Sequence, residues 1–114
     1  MRLKSELWIK AYLRLCRVND APAFVTRRGQ ADGGAIYIKV NRLNGHADLY
    51  APAPAGFDTG TDRLWAIDPS HRETIHQDIE VYLARQLEFD PDIWVVEVED
   101  RDGRHFLGES LVEI

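Results

Sequence analysis

The chain has 114 residues, 45% hydrophobic and 29% charged, a globular composition that excludes disorder over most of its length. A net charge of -5 disfavours attraction of the whole surface to nucleic acid or anionic membrane. The single cysteine excludes an intrachain disulfide, and Lys10 and Arg14 interrupt the apolar run after Met1, so it makes neither a signal core nor a spanning helix. These features predict one cytoplasmic domain over residues 1–114.

Ser5 to Val18 reads as the first helix, with Ser5 as N-cap. Leu7, Trp8, Ala11, Tyr12 and Leu15 form one broad face, widened by Ile9, Leu13 and Cys16, and leave Lys10, Arg14 and Arg17 as a narrow wet stripe. Cys16 is expected to be a small buried hydrophobe. Asn19, Asp20 and Pro22 end the helix, and Phe24 to Arg28 follows as a short strand.

Gly34 to Pro54 reads as a β-hairpin around which the rest is arranged. Ile36, Ile38 and Val40 alternate with Tyr37, Lys39 and Asn41, and Asn44-Gly45 supplies a two-residue type I′ turn. That turn sets Val40 opposite Leu49 and Ile38 opposite Ala51 on an aliphatic face. It sets Lys39 opposite Tyr50 and Asn41 opposite Asp48 on the other. Ala51 to Asp62, rich in Pro, Gly and Ala, reads as a loop, and Arg63 to Ile67 as a strand.

The second helix opens in one of two registers: Asp68 caps with Pro69 at the first helical position, or Ser70 and Glu73 form a capping box. Ile75, Ile79, Tyr82, Leu83 and Leu87 give its apolar stripe, and Asp90-Pro91 stops it near Phe89. Ile93 to Asp100 is a strand with Trp94, Val96 and Val98 inward and Val95, Glu97 and Glu99 outward. An Asp102-Gly103 turn then leads to a last strand, His105 to Leu107. The order α-β-β-β-β-α-β-β predicts a two-layer α+β domain, a mostly antiparallel sheet with two helices packed on one face.

Met1 to Trp8, Arg27-Arg28-Gly29 leading to Gly34-Ala35-Ile36, Leu49-Tyr50 followed by Pro52, and above all Phe89 to Gly103 resemble a family of short bacterial proteins catalogued as domain of unknown function 1491. The resemblance covers nearly the whole chain. It implies a stand-alone cytosolic bacterial protein and brings no activity, ligand or catalytic residue with it.

Function must therefore be sought in the residues. His46, His71, His76 and His105 lack metal-ligand spacing, so neither metal nor cofactor is predicted. No catalytic set is recognised. Tyr37, Lys39, Tyr50 and Trp65 are candidates for an exposed aromatic and cationic surface, extended by the Pro52 to Asp62 loop. Arg27 and Arg28, beside the glycine-rich turn Gly29 to Gly34, form a candidate anion site.

The leading expectation is a binding or interaction module with a protein partner or with itself. The first alternative is a small hydrolase or transferase using Asp100 or Asp102 of the acidic cluster Glu97 to Asp102, with Arg27 or Arg28 holding an anion. Another is a nucleic-acid binder through Lys10, Arg14, Arg17, Arg27 and Arg28, which the acidic total opposes.

Overall fold

A computed structural model describes residues 2–54, 56 and 63–113. Its elements are α1 (Ser5–Val18), β1 (Ala23–Arg27), β2 (Ile36–Asn41), β3 (His46–Pro52), β4 (Trp65–Ile67), β5 (Thr74–Ile75), α2 (His76–Phe89) and β6 (Trp94–Glu99). The fold is α+β. Five strands lie in the order β1-β6-β2-β3-β4, and β5 pairs with β3. All pairs are antiparallel except β2 with β6.

The hairpin forms in a different register from the one the Asn-Gly turn predicts. Ile38 lies opposite Tyr50, Lys39 opposite Leu49, Val40 opposite Asp48 and Asn41 opposite Ala47. Arg42 N–H donates to His46 O, which leaves a three-residue connection, Leu43-Asn44-Gly45, instead of a two-residue one. Asn41 Oδ1 accepts from Leu43 N at 2.8 Å and Asn44 Oδ1 from His46 N at 3.0 Å, so side chains shape the turn. One extra residue in the turn exchanges the faces of β3 relative to β2. Tyr50 joins Ile38, while Leu49 joins Lys39.

Both sheet faces are covered, which corrects the expectation of two helices on one face. Ile9, Tyr12 and Cys16 of α1 pack with Ile36, Ile38, Val40, Trp94, Val96 and Val98. Ile79 and Leu83 of α2 pack on the opposite face with Ala47, Leu49 and Val95. The physical reason lies in β2 and β3, whose second face carries buried Leu49 and Ala47 and needs its own cover. β6 likewise is an interior strand between β1 and β2, so Val95 is buried and Glu97 is nearly so.

Local rules account for the other differences. The buried stripe of α1 is Ser5, Ile9, Tyr12 and Cys16, leaving Leu7 and Leu15 exposed. Ser5 is the first helical residue, not the cap; its hydroxyl donates to Gly34 O at 2.6 Å. Asp68 caps only a 3-10 turn, Pro69–His71, and Glu73 with φ 47 breaks the chain before β5. Helix α2 consequently starts at His76. The buried Asp48 carboxylate accepts from Glu73 N at 2.6 Å and from Arg42 Nε at 2.9 Å, pinning that break against the sheet. His105 to Leu107 is not a strand, since Phe106 has φ 57. Instead, Tyr12 Oη donates to His105 O and Leu107 is buried against α1.

Candidate functional site

The structure disperses the predicted aromatic surface. Tyr37 and Lys39 face α2, whereas Tyr50 and Trp65 are buried on the α1 side, at 4% and 2% exposure. Trp65 Nε1 donates to Ile36 O at 2.9 Å, and its ring lies 4.5 Å from that of Trp8. Tyr50 packs against the His105 ring. Burial pushes the phenol pKa of Tyr37 and of Tyr50 upward. Three of the four candidates are buried and Tyr37 is half-buried, so no exposed platform is made of them. Of the Pro52 to Asp62 loop, all but 52–54 and 56 lies outside the described residues.

Lys39 is 1% exposed and has become the polar centre of the α2 interface. Its ammonium meets Glu80 Oε1, Glu97 Oε1 at 3.3 Å and His76 Nε2 at 3.2 Å. An ammonium has three protons and no lone pair, so three acceptors satisfy it; His76 must present its Nε2 lone pair, with the ring proton on Nδ1. Asn41 Nδ2 holds Glu97 from the far side at 3.3 Å. All three Lys39 protons are thus engaged, making the group a clamp joining β2, β6 and α2. Sequence shows only a lysine in an alternating strand; nothing in it places Glu80 and Glu97 on either side.

Beside this clamp lies a groove. Helix α2 covers β2 and β3 but stops short of β1, leaving a trough of about 220 Å³. Leu83, Ala84 and Leu87 form its helical wall, Ile93 and Val95 its floor, and Thr26 with Arg27 its outer rim. Glu80 ties the trough to the Lys39 clamp. Of the apolar stripe Ile79, Leu83 and Leu87, the last two line the trough and Ile79 is fully buried in the core.

The other candidates are kept apart. Arg27 Nη2 donates to Pro91 O at 2.9 Å, while Arg28 pairs with Glu6 at 3.1 Å and lies over the Trp94 ring. The glycine-rich turn spends its amides on the protein, with Gln30 N donating to Asp92 O and Gly34 N to Gln30 O. Gly29 and Gly34 are there for contact: a Cβ on either would stand 2.2 or 2.3 Å from Asp92 O. Asp100 accepts from Arg104 N, Nε and Nη2, and the hydrogen bonds from Arg104 hold its pKa below the usual value. Arg27 sits opposite Val95, five residues from Asp100 along β6, or about 16 Å at ~3.3 Å per residue. That separation removes the joint acid and anion-holder arrangement. Lys10 and Arg28 both pair with Glu6. Among the described residues no group of three or more His, Cys, Asp or Glu side chains is placed to hold a metal ion.

Fold and groove together define a small α+β scaffold built on one open sheet. The chain belongs to the DUF1491 family, described as protein of unknown function, whose model matches residues 3–108. It is similar to a DUF1491 family protein from Caulobacter crescentus CB15 in a crystal structure, with 40% identity, TM-score 0.80, and coverage of 98% of this chain and 99% of that one. An NMR structure of a DUF1491 family protein from the same organism gives 41% identity, TM-score 0.79 and 98% coverage of each chain. The solution structure of protein Atu0922 from A. tumefaciens gives 32% identity and TM-score 0.76, covering 87% of this chain and 86% of that one. No curated protein matches the chain. Among the described residues no helix is long and apolar enough to cross a membrane.

Proposed function

We propose that this protein is a cytoplasmic bacterial binding module that holds an extended segment of a protein partner in the groove between α2 and the β1 side of the sheet. The observation that carries this reading is the trough itself, in which exposed Ala84 and half-buried Leu87 stand beside buried Leu83, Ile93 and Val95. At about 220 Å³ the groove is smaller than the roughly 300–1,000 Å³ typical of pockets that enclose small molecules. A trough of that size suits two or three side chains of a peptide. Edge strand β1, paired only with β6 on the described sheet, offers backbone groups alongside it. Arg27 and Glu80 give the trough one cationic and one anionic margin, which favours a segment with apolar anchors flanked by charges of both signs. The bacterial setting is supported by the source organisms of the relatives.

Panning a displayed peptide library on the wild-type protein, with Ala84→Arg as the counter-target, tests this. Ala84 is exposed, so the substitution fills the groove with little change in stability, within about 0.5 kcal/mol. The expected result is enrichment of peptides carrying paired apolar anchors whose affinity drops at least tenfold on Ala84→Arg, about 1.4 kcal/mol. Peptides that bind both proteins equally, or no enrichment at all, would overturn the reading. If the segment comes from a second copy, light scattering will show a dimer that Ala84→Arg dissociates.

A further inference from the structure

Arg63 is, among the described residues, a buried cation without an opposite charge beside it. The residue is 8% exposed. Its Nη2 donates to Leu3 O at 3.1 Å and to Ser5 Oγ at 2.9 Å, both neutral acceptors. Ser5 in turn donates to Gly34 O, so the guanidinium is held by a fixed relay. Its Nε is buried and has no acceptor, and no carboxylate forms an ion pair with Arg63 among the described residues. Every other buried charge among the described residues has an opposite one: Lys39 has Glu80 and Glu97, Asp48 has Arg42, and Asp100 has Arg104. Burying a guanidinium without an anion is costly.

The side chain lines a pocket of about 100 Å³ between the start of α1 and the β3–β4 end of the sheet. Arg2 lines the same pocket, with Gly33, Ala35, Leu64 and Trp65. Burial, and then the Arg2 charge, pull the Arg63 pKa below the usual arginine value, as two cations gathered in one partly dry place should. The volume equals about three waters at ~30 Å³ each, which is room for a small oxyanion and too little for a nucleotide.

We infer that the Arg2–Arg63 pocket is a binding site for a small free oxyanion of phosphate or carboxylate type, with the Arg63 guanidinium as its principal donor. With both Nη2 protons on Leu3 O and Ser5 Oγ, the oxyanion takes its hydrogen bond from the rest of the guanidinium, and its negative charge offsets the burial of a cation that no carboxylate among the described residues pairs. The site shares no lining residue with the α2 groove, and it takes an ion, not a segment.

Thermal unfolding in sodium phosphate, acetate or chloride at matched ionic strength tests it. Phosphate or acetate at ten times its Kd is expected to raise the Tm by about 5 °C over chloride, and Arg63→Gln is expected to abolish that rise. Should Arg63→Gln fail to fold, amide NMR of the wild type reads the site directly. Phosphate or acetate must then shift Gly33, Ala35 and Leu64 while leaving Ala84, on α2, unmoved. Equal Tm values in all three salts, an equal rise in Arg63→Gln, or shifts spread over the surface would overturn the assignment.

Discussion

Asp100 shows how a single carboxylate can be structural where its neighbours in sequence suggest chemistry. It is 8% exposed and takes three hydrogen bonds from Arg104, at 2.7, 2.8 and 3.1 Å, which hold its pKa below the ordinary aspartate value. A depressed folded-state pKa stabilises the fold above the unfolded value of about 3.9, and the contribution is lost as pH falls through the folded value. Asp100→Asn should therefore cost about 1–2 kcal/mol at pH 7 in urea unfolding, and the gap from wild type should close as pH falls below the ordinary aspartate range. A gap that persists undiminished in acid would mean that the charge does not matter. The run Glu97 to Asp102 looks like one acidic cluster in sequence because adjacency is all that sequence displays. In the fold Glu97 serves Lys39, Asp100 serves Arg104, and Asp102 is exposed. Arg63 was illegible for the same reason: what distinguishes it is burial with no carboxylate beside it among the described residues, a property of three-dimensional surroundings.

At the scale of elements, the hairpin was visible in the sequence and its register was not. Alternation from Ile36 to Asn41 and from His46 to Pro52 is a property of each strand alone, so both strands were legible. The turn depends on one residue. Leu43 takes φ 61, a left-handed value that strains a leucine, and this admits a three-residue loop where Asn-Gly suggested two. Leu43 is 44% exposed, so little packing offsets the strain. Leu43→Asn should raise stability by about 0.5–1 kcal/mol in urea unfolding, since Asn tolerates that conformation. Gly45 has φ 87 and open space around its missing Cβ, so Gly45→Ala should lose about 1 kcal/mol purely through the backbone. If Leu43→Asn is neutral and Gly45→Ala harmless, the three-residue turn is not the conformation in solution. The second helix was legible from Ile79 to Phe89 by periodicity, but its start was not. Asp68-Pro69 is a genuine cap signal, spent on a single 3-10 turn because buried Asp48 recruits the Glu73 amide.

The whole molecule is an open sheet with unequal cover, and that inequality should govern how it moves. Helix α1 buries Ile9, Tyr12 and Cys16 among a large cluster drawn from every long strand, with Tyr12 also tied to His105. Helix α2 buries only Ile79 and Leu83 and is clamped by Lys39 through Glu80 and His76. A two-layer reading was natural from sequence because Lys39, Asn41 and Glu97 look like a wet face; only their mutual pairing makes that face fit to be covered. The same pairing makes α2 the weaker layer. Its opening exposes few apolar groups and returns three charged side chains to water, so it should be a sub-global event below the cost of full unfolding. Native-state hydrogen exchange should find the α2 amides less protected than those of α1 and β6. Lys39→Met, which leaves Glu97 without its cation, should speed α2 exchange about 100-fold, the equivalent of about 3 kcal/mol. Uniform protection of both helices in the wild type would contradict this hierarchy. Confirmation would also bear on the groove, because its helical wall is α2 itself: a wall that opens at modest cost can widen the trough to admit a segment bulkier than its resting volume holds.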